Sequence, residues 1–175
     1  RPGGWLRDRE AAIVLVGRAR LSMAGTSRFP FNDSSVAAHC DGVEKIQPLY
    51  IEKVLANLRS PEAASRPIRV IGFDIRCKLF AEGIQQRIDR QVDQLVAPQA
   101  ALYDEASKKA IYGIDATNVS GTQPMELELA NQRIRLVGTF RLGTDFTNDG
   151  TLIMSQENFA NFFRLRGGRD GPLSS

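Results

Sequence analysis

The sequence predicts an α+β fold, with strands paired mainly as hairpins and a few amphipathic helices covering one face. Three observations predict it. Short runs rich in Val, Ile and Leu recur along the chain and end at Gly or Pro, the punctuation of strands. Apolar and polar residues alternate over residues 125–129, and a second apolar run starts at Ile134 beyond Ala130, Asn131 and Gln132, as in a long hairpin. Ile84, Ile88, Val92 and Leu95 recur every three or four residues with Gln, Arg and Asp between them, the stripe of a one-sided helix.

The elements follow in order. Ala11, Ala12, Ile13, Val14, Leu15 and Val16, closed by Gly17, read as a buried strand. Residues 18–31 read as a loop, and Asn32 or Asp33 can cap a short helix that ends near Cys40, before Asp41 and Gly42. Residues 43–58 are extended in part, with Pro48 arguing for an edge or a bulge. Residues 59–66 read as a turn. Residues 67–74 read as a strong strand that pairs with the preceding one as a hairpin. The helix through Ile84 and Leu95 stops at Pro98, and 100–104 is a short strand. Residues 105–112 form a helical turn closed by Gly113, and 115–123 is a polar loop. After the 125–137 hairpin comes a Gly-rich turn, then a strand over 151–154. Ser155 is a good N-cap for a helix over 156–165 whose stripe is Phe159, Phe162 and Phe163. Asn158 stands where a full capping box has Glu or Gln.

Composition bounds the function. The chain has 175 residues, enough for one domain or two small subdomains, and a net charge of +3. Basic and acidic residues are interspersed, which gives no case for nucleic acid; an Arg-rich opening (Arg1, Arg7, Arg9, Arg18, Arg20, Arg28) reads as a solvated terminus. No apolar run reaches the roughly 18 to 20 residues of a membrane helix, and no signal peptide is visible. The chain begins without Met and reads as a piece of a longer protein. Cys40 and Cys77 are far apart and neither sits in a C-x-x-C; they read as buried thiols, and a disulfide stays open.

The search for chemistry is negative, and no enzyme, cofactor or metal is expected. Residues 17–27 contain glycines but no G-K-[ST] phosphate loop. His39 is the single histidine, too few for a zinc site or a Ser-His-Asp triad. Asp145, Asp149 and Gly150 fit the first, fifth and sixth positions of a calcium loop, but Thr147 and Gln156 occupy the third and twelfth. A hairpin turn, with Asn148-Asp149-Gly150 supplying left-handed backbone, is the better reading. Asn32 and Asn118 open glycosylation triplets that arise often by chance. The pairs Glu126/Glu128 and Asp89/Asp93 read as solvated charge.

Five segments nevertheless carry a resemblance. They are Ile13 to Gly17 with Arg20-Leu21-Ser22-Met23; Gly42 through Pro48-Leu49-Tyr50; Arg66-Pro67-Ile68 through Phe73-Asp74; Ala101-Leu102-Tyr103-Asp104 through Ser107; and the block from Val137 to Phe159. In this order the chain resembles the extracytoplasmic (MacB-like periplasmic core) domain of MacB/FtsX-like ABC transporter permeases, particularly the DevC type. The resemblance implies a periplasmic loop domain of an inner-membrane permease, built from a porter-like α/β subdomain and a smaller inserted, mostly β subdomain. These correspond to 11–80 with 134–165, and to 81–133, with flexible termini at 1–10 and 166–175. It implies as partners a membrane-fusion (HlyD-like) protein, a cytoplasmic ABC ATPase, an outer-membrane channel indirectly and a second copy in a homodimer. The expected cargo is lipid-like, glycolipid included. The alternative is a stand-alone periplasmic lipid- or peptide-binding domain. No partner-binding residue is assigned; loops 18–31 and 115–123 are the expected contact segments, because binding residues favour loops.

Overall fold

The computed structural model describes residues 46–143 and 148–163. The expected strand at 11–17, loop 18–31, the helix ending near Cys40, His39 and both termini lie outside the described residues.

An α+β fold is observed. Among the described residues eight strands share one sheet: β1 (Leu49–Glu52), β2 (Asn57–Ser60), β3 (Ala63–Pro67), β4 (Arg69–Phe73), β5 (Ala100–Asp104), β6 (Met125–Leu129), β7 (Gln132–Phe140) and β8 (Thr151–Ser155). Helices α1 (Glu82–Asp89) and α2 (Val92–Leu95) join β4 to β5. Helix α3 (Lys109–Tyr112) and a 3-10 turn (Ala116–Asn118) join β5 to β6, and α4 (Gln156–Phe163) follows β8. The order across the sheet is β1-β4-β8-β5-β7-β6-β2-β3. Hairpins account for β2/β3 and β6/β7, whereas β4/β8 and β5/β7 run parallel.

One connection sets the shape. Among the described residues β3 is an edge of the sheet and β4 is next to the opposite edge, yet Ile68 alone separates them. A residue spans about 3.5 Å at most. The sheet therefore curls until its two ends meet at this corner, accumulating the right-handed twist natural to strands. Pro67 has no N–H for a ladder, and its carbonyl instead accepts from the Tyr112 hydroxyl at 2.8 Å. The Ile68 N–H donates to Ala56 O at 2.8 Å. The expected single strand over 67–74 is thus divided at a corner.

The curl sorts the apolar residues into two layers. Leu58, Ile68, Val70, Tyr103, Leu129, Ile134 and Met154 gather from both ends of the sheet and lie inside it, with Phe162 and Phe163 of α4. Ile71, Phe73, Leu102, Val137, Phe140 and Ile153 form the second layer, beneath Ile88 of α1 and Leu95 of α2. Alternate residues of β4, β5 and β8 enter different layers because side chains alternate across a strand. Both faces are buried, which is why these strands read as continuous apolar runs. Helices consequently lie on both faces rather than one.

Other expectations need correction. Residues 59–66 are not a turn but the β2/β3 hairpin, whose turn is only Pro61 and Glu62; Leu58 and Ser60 point inward between exposed Asn57 and Arg59. Strand β4 does pair antiparallel with β1, but across this inserted hairpin rather than directly. Strands β7 and β8 are not a hairpin, since β5 lies between them. Among positions 148–150, none has positive φ; Gly150 is instead packed so closely that a Cβ there would meet Tyr112 Cε2 at 2.6 Å. The helix expected through Ile84 and Leu95 breaks after Asp89. Gly113 at φ 66° closes α3 as expected, and Ala130 and Asn131, both at positive φ, make the β6/β7 turn.

Two side-chain amides fix the helices to the sheet. Gln91, at the break between α1 and α2, donates to Thr139 O at 2.8 Å and accepts from Thr139 N–H at 3.0 Å. It does so where β7 carries its register shift against β5. The amide lies so near Gly138 that a Cβ there would be 1.8 Å from Gln91 Oε1. Asn158, 3% exposed, donates to Ala97 O at 2.9 Å and Ala100 O at 3.2 Å and accepts from Gln99 N–H at 3.0 Å. Its own N–H is capped by Ser155 Oγ at 3.2 Å, as the expected N-cap requires.

Asn158→Ala should lower unfolding free energy by about 2 to 3 kcal/mol, because it orphans buried backbone groups of the 97–100 turn. Urea unfolding measures it, and a loss under about 0.5 kcal/mol would contradict the role given to this amide. Gly138→Ala should destabilise by about 1 to 3 kcal/mol alone and by clearly less in a Gln91→Ala background, where the added methyl has room. Additive losses in that double-mutant cycle would refute the contact.

Candidate functional site

A groove of about 820 Å3 lies along β3, between that strand, α3 and the start of the chain into β8. Its walls include Glu62, Ala63, Ala64, Arg66, Ile111 and Asp149. The geometry follows from the corner at Ile68. Strand β3 pairs only with β2 among the described residues, so its outer edge and its small side chains border the groove. Helix α3 packs beside β3 because the Tyr112 carbonyl accepts from Ser60 Oγ at 2.6 Å and the Tyr112 hydroxyl reaches Pro67.

Charge in this region is largely matched. Lys108 Nζ lies 2.6 Å from Asp149, the residue expected at the fifth position of a calcium loop; Asp145 and Thr147 of that loop lie outside the described residues. No group of three or more His, Cys, Asp or Glu among the described residues is placed to hold a metal ion. Arg69 is buried, and its guanidinium donates to Thr151 Oγ1 at 2.8 Å. Burial pushes the Tyr103 phenol up to about 12, an effect the Ser107 hydroxyl opposes and the charge of Asp104 reinforces. Tyr112 is raised for the same first reason, with Asp149 and Tyr103 adding to it.

The polar segment 115–123, an expected contact loop, is mostly bonded to itself. Asp115 accepts from Lys109 Nζ at 2.7 Å, Thr117 N–H at 3.0 Å and Thr117 Oγ1–H at 2.6 Å. The Ser120 hydroxyl shares a proton with Thr122 at 3.2 Å and accepts from Gln123 N–H at 3.3 Å. Asn118 is exposed at the end of the 3-10 turn. The carboxylate pairs are surface groups: Glu126 faces Arg133 at 3.8 Å, and Asp89 accepts from Gln85 at 2.7 Å. Cys77 is buried, and Cys40 lies outside the described residues. No helix among the described residues is long and apolar enough to cross a membrane.

Reading the sequence missed Asp104, Gln91 and Asn158, three side chains that bond several backbone groups far away in the chain. A faint signal existed for Asn158 alone, standing in a capping position where Glu or Gln is usual.

No family model matches the chain, and no curated protein matches it. Among solved structures it is similar to the extracellular domain of the noncanonic ABC-type transporter YknZ from Gram-positive bacteria, at 14% identity and a TM-score of 0.48. That likeness covers 78% of this chain and 67% of the other. It is also similar to the periplasmic region of MacB from Actinobacillus actinomycetemcomitans, at 16% identity and a TM-score of 0.43, covering 78% of this chain and 58% of the other. The first structure is the extracellular domain of an ABC-type transporter and the second a periplasmic region.

The Asp115 carboxyl should titrate well below its ordinary value of 3.8, because Lys109 and then Thr117 hold the ionised form. A depressed folded pKa adds stability that is present above 3.8 and is lost as pH falls below it toward the folded value. Carbon-13 NMR of the side chain reads this directly, and a midpoint at or above 3.8 would break the assignment.

Proposed function

We propose that the chain is an extracytoplasmic domain of a MacB/FtsX-like ABC exporter permease of the DevC type. In this reading it docks a membrane-fusion (HlyD-like) protein and passes on motion driven by a cytoplasmic ATPase. The permease acts as a homodimer, an outer-membrane channel completes the path, and the cargo is lipid-like. The domain alters no covalent bond.

The observation that carries the reading is where the resembling segments fall. Apart from Arg66 and Pro67, which end β3, their described parts are the whole or part of β1, β4, β5, β7 and β8, together with the first turn of α4. These strands are consecutive in the sheet, in the order β1-β4-β8-β5-β7. Segments scattered over more than a hundred residues therefore make one contiguous slab, as expected of a shared framework. The proposed division into 11–80 with 134–165 and 81–133 puts β5 and β6 in the second part. Both pair with strands of the first, so movement passes through the sheet itself rather than through a linker. The alternative, a stand-alone periplasmic lipid- or peptide-binding domain, calls for a sizeable apolar pocket. The groove along β3 instead mixes Glu62, Arg66 and Asp149 with Ala63, Ala64, Pro67, Ile68 and Ile111 on its walls.

Labelling in cells tests the proposal. Val54 is 61% exposed, so Val54→Cys in the intact gene product offers a thiol that a membrane-impermeant maleimide reaches from outside the inner membrane. Labelling of spheroplasts beyond the level of the parent chain is the expected result. Labelling only after lysis would place the domain in the cytoplasm and end the proposal.

A further inference from the structure

Asp104 ends β5 with a carboxylate that is fully buried. Its Oδ1 accepts from Ala106 N–H at 3.0 Å and from Leu142 N–H at 3.1 Å. Its Oδ2 accepts from Gly143 N–H at 3.1 Å. One side chain thus ties the turn after β5 to the backbone leaving β7. Beside it, Glu105 N–H donates to Phe140 O at 2.9 Å, so Asp104 extends the β5/β7 ladder past its last backbone bond. Gly143 sits at φ 101°, a conformation that no ladder partner holds and that the carboxylate bond secures.

Arg141, beside Leu142, is exposed, and the other charged groups on the surrounding elements are these. Arg69 on β4 is the cation acting on Asp104. Glu105 is bonded to Arg87 of α1 at 2.8 Å and to Thr139 of β7 at 2.9 Å. Lys108 is paired with Asp149, and the Tyr103 phenol is neutral across the physiological range.

We propose that Asp104 is a proton-operated latch. Ionised, it holds Leu142 and Gly143 against the end of β5; protonated, it lets them go while the sheet stays folded. The proton joins one carboxylate oxygen, and no other covalent bond is made or broken; only the hydrogen bonds from Leu142 and Gly143 are released. The neutral acid is the poorer acceptor, because hydrogen bonds to an ion are about twice as strong as neutral ones.

The sign of the linkage keeps the event local. Burial raises Asp104 above its ordinary value of 3.8, while the three N–H donors and Arg69 oppose the rise. The folded state therefore takes up the proton at a pH where the unfolded chain is still ionised. Ionisation costs the fold stability above the folded pKa, and that cost is lifted as pH falls through it. Acid thus opens the latch without unfolding the domain through Asp104. The device belongs to the fold and holds whatever partner the domain meets.

NMR on the purified 175-residue chain tests it, between about pH 8 and about pH 3.5. The Asp104 carboxyl carbon and the amides of Ala106, Leu142 and Gly143 should titrate together, with a midpoint above 3.8. On the acid side the Gly143 amide should lose about tenfold in exchange protection, the loss expected when one charge-assisted bond becomes a neutral one. Core amides of Leu102 and Leu152 should stay protected. Amides that ignore the carboxyl titration, or core and latch amides that open together, would overturn the proposal. In Asp104→Asn the Leu142 and Gly143 shifts should be independent of pH over this range; an unchanged titration would assign the effect to another group. Should that variant fail to fold, the titration of the native chain decides alone.

Discussion

At Ile68 the chain leaves one edge of its sheet and enters beside the other, with no length of linker to cover the distance. That step is possible only in a sheet curled on itself, and most of the structure can be understood as its consequence. The curl creates an interior that must be filled, and β2, β4, β5, β6, β7 and β8 all turn alternate apolar residues into it. It leaves a side to be closed, which the phenylalanines of α4 do. It also brings polar groups at the strand ends into burial, among them Ser60, Asp104 and Thr151, and each has to find a partner there.

Curvature and parallel pairing both strain backbone accounting. A bulged strand and a helix-to-strand turn leave N–H and C=O groups that no regular ladder satisfies. Gln91 and Asn158 answer that need. Each has a donor and an acceptor on one planar amide, so each completes both halves of a local backbone defect. The cost falls on neighbours: Gly138 has no room for a side chain beneath Gln91, and α1 cannot run on into α2. Phe159 imposes a similar condition on Gly72, where a Cβ would approach its ring to 2.5 Å, and its own ring stacks on Tyr50 at 5.5 Å.

The surfaces differ in kind. Arg59, Glu128 and Arg133 stand in register across β2, β6 and β7, opposite charges on adjacent strands of a solvated face. The β3 edge carries Arg66 and Pro67, residues that discourage uncontrolled strand pairing.

By itself the sequence determined the element types and much of their extent. Local physics decides these: β5, β8, the Met125–Leu129 hairpin arm, Gly113 as a helix stop and Ser155 as a helix cap all follow from periodicity, backbone freedom and capping. What only the tertiary structure decided was pairing and polar partnership. Nothing local tells β5 to enter between β7 and β8, or tells residues 59–66 to become strands, since both depend on contacts between residues far apart in the chain. The same holds for the polar groups that matter most. Asp104, Gln91 and Asn158 look like ordinary surface residues in the sequence, because a carboxylate or an amide acquires its role from the backbone groups that distant strands bring to it.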